Sequence, residues 1–214
     1  MTEEKPGPAR RIGAPGSPGW HAMLDGAEHI LREEGHAELT SRRISEQVGV
    51  KQRLVYYYFH TMDDLVVAMF RRSSERDLAR LREVAAAPKP LHELWEICFH
   101  SHDARLISEY MALANRIPDL RSEVIKFIEE SRAIQVKAIA EAISRSGRDH
   151  GLPPTVIAIM ATSIGLSLNR EQQLGVQMGH AETFAVLNAF LGELEGGGTP
   201  HFRPAARGVN HGVV

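Results

Sequence analysis

The chain has 214 residues, 43% of them hydrophobic and 24% charged, ordinary proportions for a globular protein and enough for one large or two small domains. A net charge of −2 says nothing in favour of nucleic acid, and a single cysteine, Cys98, excludes an internal disulfide framework or a Cys-rich zinc module, which suits a reducing cytoplasm. The amino end lacks the apolar segment of a secretory signal, and no apolar run approaches the roughly 18 residues of a membrane span.

Residues 1–19 hold four prolines and four glycines, too much punctuation for a helix or strand, and read as a flexible arm. Arg10 and Arg11 within it could reach phosphates or a minor groove; the alternative is a solvated tail. From Trp20 to Glu34, Leu24, Ala27 and Leu31 recur at helical spacing beside Met23 and Ile30, and Gly35 closes the helix.

Two short helices joined by a tight turn follow. Thr40 is suited to cap the first, whose Ile44 and Val48 share one face at i, i+4. Gly49 can take the left-handed conformation of a helix stop, and Val50 can anchor the turn. In the second, Val55 and Phe59 form one buried edge, which leaves Lys51, Gln52, Arg53, Tyr57 and Tyr58 for something outside. From Thr40 to His60 the basic residues Arg42, Arg43, Lys51 and Arg53 face a single acid, Glu46, a local patch on an acidic body. The spacing is that of a helix-turn-helix, whose second helix enters the major groove.

Thr61 begins a fourth helix with Asp63 and Asp64 in its first turn, where they oppose the helix dipole. Spanning 62–87, it is long enough to link a DNA-reading end to the body. After Pro88 and Pro90 the periodicity predicts helices over 91–116, 119–146, 154–174 and 181–195, and Gly196 to Gly198 then lead into a disordered tail, 196–214. No alternating strand pattern and no internal repeat occur. The chain is expected to be all-α, with a helix-turn-helix domain over 20–66 and a helical body over 67–195.

Phosphate loops, nucleophile elbows and the His-Glu-x-x-His pattern are missing, so the common enzyme signatures are not present. Glu96, His100 and Asp103 share a helical face near His92 and His102; a metal or general base is conceivable there, but a solvated face with an i, i+4 pair is the plainer reading, and neither metal nor cofactor is assigned. Cys98, among apolar neighbours, reads as packed and inert. Trp95, Phe99, Leu106, Tyr110, Phe127, Ser131, Gln135, Met160 and Ser163 are a mixture that suits either a small-molecule pocket between helices or plain core. Phe184, Leu187, Leu191 and Leu194 have the 3-4-3 spacing of a shallow-angle helix seam, either between subunits or within one. The preceding helix is apolar nearly all round, through Val156, Ile157, Ile159, Met160, Ile164, Leu166 and Leu168, so it is covered on more than one side.

Thr40-x-Arg42-x-Ile44, Gly49-Val50, then Tyr56-Tyr57-Tyr58-Phe59 and Leu65 resemble the DNA-binding domain of tetracycline-repressor (TetR) family regulators, over roughly residues 20–71. Leu54, Arg53 and Met62 depart from that family's usual Thr, Gly or Pro, and phosphate-contacting Lys, which affects the target sequence more than the activity. The resemblance implies a dimer paired through the last two helices, an effector pocket enclosed by the body, and a palindromic double-stranded operator. Arg42, Gln52, Arg53 and Leu54 are then expected to read bases, Thr40, Ser41, Lys51, Tyr57 and Tyr58 to hold phosphates, and Tyr56 to do either. The expectation is a cytoplasmic, ligand-responsive regulator, a repressor rather than an enzyme, released by a hydrophobic or amphipathic small molecule. The competing class is an all-α small-molecule binder or enzyme whose helix-turn-helix only packs.

Overall fold

A computed structural model of the chain describes residues 15–100, 104–147 and 151–196. The described residues are helical, with no strand among them. The hydroxyl of Ser17 accepts from the Trp20 amide and opens α1 (Pro18–Glu33), two residues earlier than the apolar period predicts. Pro18 is tolerated there because the first helical amide has no intrahelical acceptor. A single 3-10 turn (His36–Glu38) leads to α2 (Ser41–Val48) and α3 (Gln52–Tyr58). Thr61 and Asp64 exchange side-chain to backbone hydrogen bonds, each 3.0 Å, in a reciprocal cap that starts α4 (Met62–Ala85). The helix expected over 91–116 is described as two, α5 (Pro90–His100) and α6 (Ala104–Ala114). The last three helices, α7 (Pro118–Ser146), α8 (Pro154–Gln173) and α9 (His180–Leu194), lie within a residue or so of their expected bounds.

The helices form two compact units. Among the described residues the first takes 15–80 and 104–131, the second 81–100, 132–147 and 151–196. In the first unit, Leu24, Ile30, Leu31, Ile44, Val55, Phe59, Leu65 and Met69 share one core with Tyr110, Leu113, Leu120 and Val124. That is why α6 and the start of α7 join the helix-turn-helix: their apolar faces are buried on it. Arg72 of α4 ties back to α1, donating to Asp25 at 2.7 Å, Glu28 at 3.2 Å and the His21 carbonyl at 3.3 Å. Glu28 also accepts from Arg32 at 2.9 Å and Arg76 at 3.4 Å.

In the second unit, Trp95 stacks on Phe99 with ring centres 6.3 Å apart, and Phe184 of α9 meets both edge-on, at 6.0 and 4.6 Å. Asn169 of α8 donates to the main-chain carbonyl of Phe99. Glu195 caps α5, accepting from the Leu91 amide at 2.6 Å and facing His92 Nδ1 at 3.1 Å. The carboxylate thereby satisfies an amide that the helix itself leaves without an acceptor.

Candidate nucleic-acid interface

Thr40 accepts from the Arg43 amide at 3.1 Å and sets the start of α2, while Gly49, at φ 72°, ends it in the left-handed region. Ile44, Val55 and Phe59 are buried, and Val50 is half-buried, so the two motif helices close on an apolar edge. This orientation turns Arg42, Lys51, Gln52, Arg53, Tyr56 and Tyr57 outward; Tyr56 is 49% exposed and Tyr57 59%. Large aromatic rings left in water at a helix-turn-helix, with cations around them, present both hydroxyl donors and positive charge to a phosphate backbone.

The remaining site candidates are placed differently. Leu54, Tyr58 and Met62 are half-buried and pack on the first unit's core. Tyr58 lies over α1, its hydroxyl 3.3 Å from Ser17 Oγ. Ser41 is only 4% exposed and is held within the motif: Gln52 Nε2 donates to its hydroxyl at 2.9 Å, and the hydroxyl lies 3.1 Å from that of Tyr56. Arg43, one of the four basic residues of the patch, is drawn back toward the end of α1, donating to Glu34 at 2.9 Å and, along α2, to Gln47 at 3.1 Å. Its hydrogen bond holds the Glu34 carboxyl below the usual carboxylate range. Arg42 is paired with Glu46 at 2.9 Å on the exposed face. That partner was readable in the sequence from its i, i+4 spacing; the Ser17–Tyr58 link, 41 residues apart, had no local signal.

Residues 23–69 match the family described as bacterial regulatory proteins, tetR family. The matched segment, α2 and α3 with parts of α1 and α4, is similar to that family's DNA-binding domain. It is 28% identical over 133 residues to an HTH-type transcriptional regulator of Xanthobacter autotrophicus, the match covering 57% of this chain and 66% of the relative. Over 124 residues it is 23% identical to the HTH-type transcriptional repressor AcnR of Corynebacterium diphtheriae, covering 58% and 63% of the two chains. The matches thus span less than two thirds of these relatives' length. The structure of the regulator FadR of Bacillus subtilis in complex with stearoyl-CoA superimposes with a TM-score of 0.56 at 17% identity, covering 84% of this chain and all of that one, and is similar in fold.

The body residues are distributed unevenly. Of the nine pocket candidates, Leu106, Tyr110, Phe127 and Ser131 belong to the first unit. Tyr110 is buried there with its ring edge-on to Phe70 at 5.1 Å, and Phe127 meets the same ring at 6.0 Å. Burial and the nearby Glu28 carboxylate both push the Tyr110 hydroxyl pKa upward. Trp95, Phe99 and Gln135 are buried in the second unit, where Gln135 accepts from Thr162 at 3.1 Å and donates to Cys98 Sγ at 3.6 Å. Met160 and Ser163 are exposed on α8. Of the helix seam, Phe184, Leu191 and Leu194 are buried inside the second unit and Leu187 is half-buried. Among the described residues no group of His, Cys, Asp and Glu could hold a metal, and no helix is long and apolar enough to cross a membrane. His102, Asp103 and the His100 side chain, with Arg10 and Arg11, lie outside the described residues.

Proposed function

We propose that this chain is a homodimeric, effector-responsive transcriptional repressor that binds a palindromic DNA operator through its paired helix-turn-helix units. The observation that carries the reading is the outward face of the motif: Arg42, Lys51, Gln52, Arg53, Tyr56 and Tyr57 exposed around the buried Ile44, Val55 and Phe59. A packing-only helix-turn-helix has no reason to leave two tyrosines and three cations in solvent together. Retention on mixed-sequence DNA at low salt, lost as salt rises, together with a symmetric footprint near the protein's own gene, tests it. A chain that passes such a column unretained at low salt overturns the proposal.

The dimer would form on surface that the single chain leaves apolar. Val156, Ile159, Met160 and Leu166 are exposed on α8, and Val186 on α9 is 68% exposed beside half-buried Leu187 and Phe190. The effector is proposed to be a hydrophobic or amphipathic small molecule received at the Trp95, Phe99 and Phe184 rings. Trp95 Nε1 is buried there without a hydrogen-bond partner among the described residues. A ligand carrying an acceptor group would relieve this donor, which costs about 1–3 kcal/mol while unsatisfied. The stearoyl-CoA bound by the Bacillus subtilis regulator has this mixed character. Because an effector shifts DNA affinity only through differential binding to two arrangements of the body, operator and effector must weaken one another reciprocally.

A further inference from the structure

Gln52, Ser41 and Tyr56 form a chain of hydrogen bonds at the outer edge of the motif. Gln52 Nε2 lies 2.9 Å from Ser41 Oγ, and Ser41 Oγ 3.1 Å from Tyr56 Oη. Ser41, the first residue of α2, is 4% exposed, so its hydroxyl has little water with which to exchange these partners. Gln52 and Tyr56 are both exposed and one turn apart on α3, so each can reach a nucleic acid while touching the same buried hydroxyl.

From this geometry we infer that a phosphate contact at Tyr56 fixes which way the Gln52 amide faces, and so makes Gln52 select adenine over guanine. A phosphate oxygen accepts hydrogen bonds and cannot donate. A Tyr56 hydroxyl bound to phosphate must therefore spend its only proton on it, which leaves its oxygen to accept from Ser41. Ser41 then has no proton left for Gln52 and must accept, which only the Nε2 end of the amide can satisfy. The Oε1 end is turned outward with the second Nε2 hydrogen beside it. In the major groove that pair matches adenine, whose N6 donates to Oε1 and whose N7 accepts from Nε2. Guanine offers O6 and N7, two acceptors, and leaves Oε1 facing an acceptor. Ser41 and Tyr56 thus act as positioning residues for a base contact that neither makes.

The inference rests on the DNA-binding reading proposed above, and selection from randomised duplexes with the full-length chain tests the two separately. A wild-type chain that enriches no duplex overturns the DNA-binding reading and the inference with it. If wild type does enrich a motif, Gln52→Ala identifies the symmetric pair of positions that Gln52 reads. At those positions wild type is expected to prefer adenine over guanine by about tenfold. Tyr56→Phe, which changes an exposed side chain and leaves the apolar edge intact, is expected to bring that ratio to within about twofold of unity while the other positions keep their preference, as the free amide turns to suit either purine. Ser41→Ala is expected to do the same, with circular dichroism confirming that the fold survives. The inference is overturned if Gln52→Ala changes no position, if wild type prefers guanine there, or if Tyr56→Phe keeps the adenine preference of wild type.

Discussion

A Cβ placed on Gly165 of α8 would lie 3.3 Å from the carbonyl carbon, the carbonyl oxygen and the Cβ of Cys98 on α5, so the two helices cross with backbone almost against backbone. Asn169, one turn further along α8, donates to the carbonyl of Phe99 beside the same crossing. Alanine at 165 gains about 1 kcal/mol of helix propensity and loses a comparable amount to the tightened contact, so Gly165→Ala should stay within about 1 kcal/mol of wild type. Valine there must push backbone rather than a side-chain tip, and Gly165→Val should cost about 1–3 kcal/mol or more. Urea unfolding of the pair decides; a valine variant as stable as the alanine one would mean the crossing is looser than the structure has it.

That crossing shows where sequence reasoning stops. Gly165 was readable as a small residue that admits a neighbour, but nothing local names Cys98, 67 residues earlier, as the neighbour. The helix-turn-helix was legible because its determinants are local: Thr40 as cap, Gly49 as stop, Val55 and Phe59 at i, i+4. The sorting of the body was not. Tyr110 and Trp95 look alike in sequence, each an aromatic on an apolar helical face, yet one joins the core of the first unit and the other a ring cluster in the second. In α9 the period gave the apolar stripe but not its covering, and Leu191 and Leu194 prove to be covered from within their own unit.

Burial pushes the Cys98 thiol up to about 11. An unfolded thiol ionises near about 8.5, so the native chain should resist iodoacetamide at pH 8 while the chain in urea reacts. The same difference sets a pH dependence. The folded state keeps its full advantage below the unfolded pKa, and loses it as pH rises toward the folded value, because only the unfolded chain ionises in that window. Cys98→Ala should flatten the fall in melting temperature between pH 9 and 11; an unchanged profile would assign that fall to other groups.

Gly26 of α1 is buried against α2, and a Cβ there would come 2.7 Å from Val48 Cγ2. A β-branched side chain on a helix has little rotamer freedom with which to give way. Gly26→Ala should therefore destabilise the chain by about 1–3 kcal/mol, and adding Val48→Ala should recover most of that loss. Strictly additive effects in the double variant would show that the two sites do not meet.

Glu46 holds Arg42 at 2.9 Å on the exposed face of α2, and this hydrogen bond and charge raise the Arg42 pKa. A carboxylate there competes with phosphate for the arginine and repels the backbone directly. Glu46→Gln should tighten binding to all duplexes alike and steepen the slope of log affinity against log salt by about one unit, as for one added phosphate contact. Tighter binding confined to one base pair would instead mean that Arg42 reads a base and that Glu46 tunes the choice.

One side of α9 is already occupied within its own unit. Phe184, Leu191 and Leu194 are buried within the second unit, so a charge at Leu191 would unfold the chain and say nothing about its partner. Val186, 68% exposed, and Met160, 48% exposed, can take a carboxylate at little cost to the single chain. In a dimer through the exposed faces of α8 and α9 the same carboxylates would be buried without a counterion, a cost of several kcal/mol in the assembly alone. The double variant Val186→Glu, Met160→Glu should melt like wild type when dilute, sediment as a monomer, and bind a palindromic operator far more weakly, since each half-site is then held independently. A variant that still sediments as a dimer with wild-type operator affinity would move the interface away from these faces.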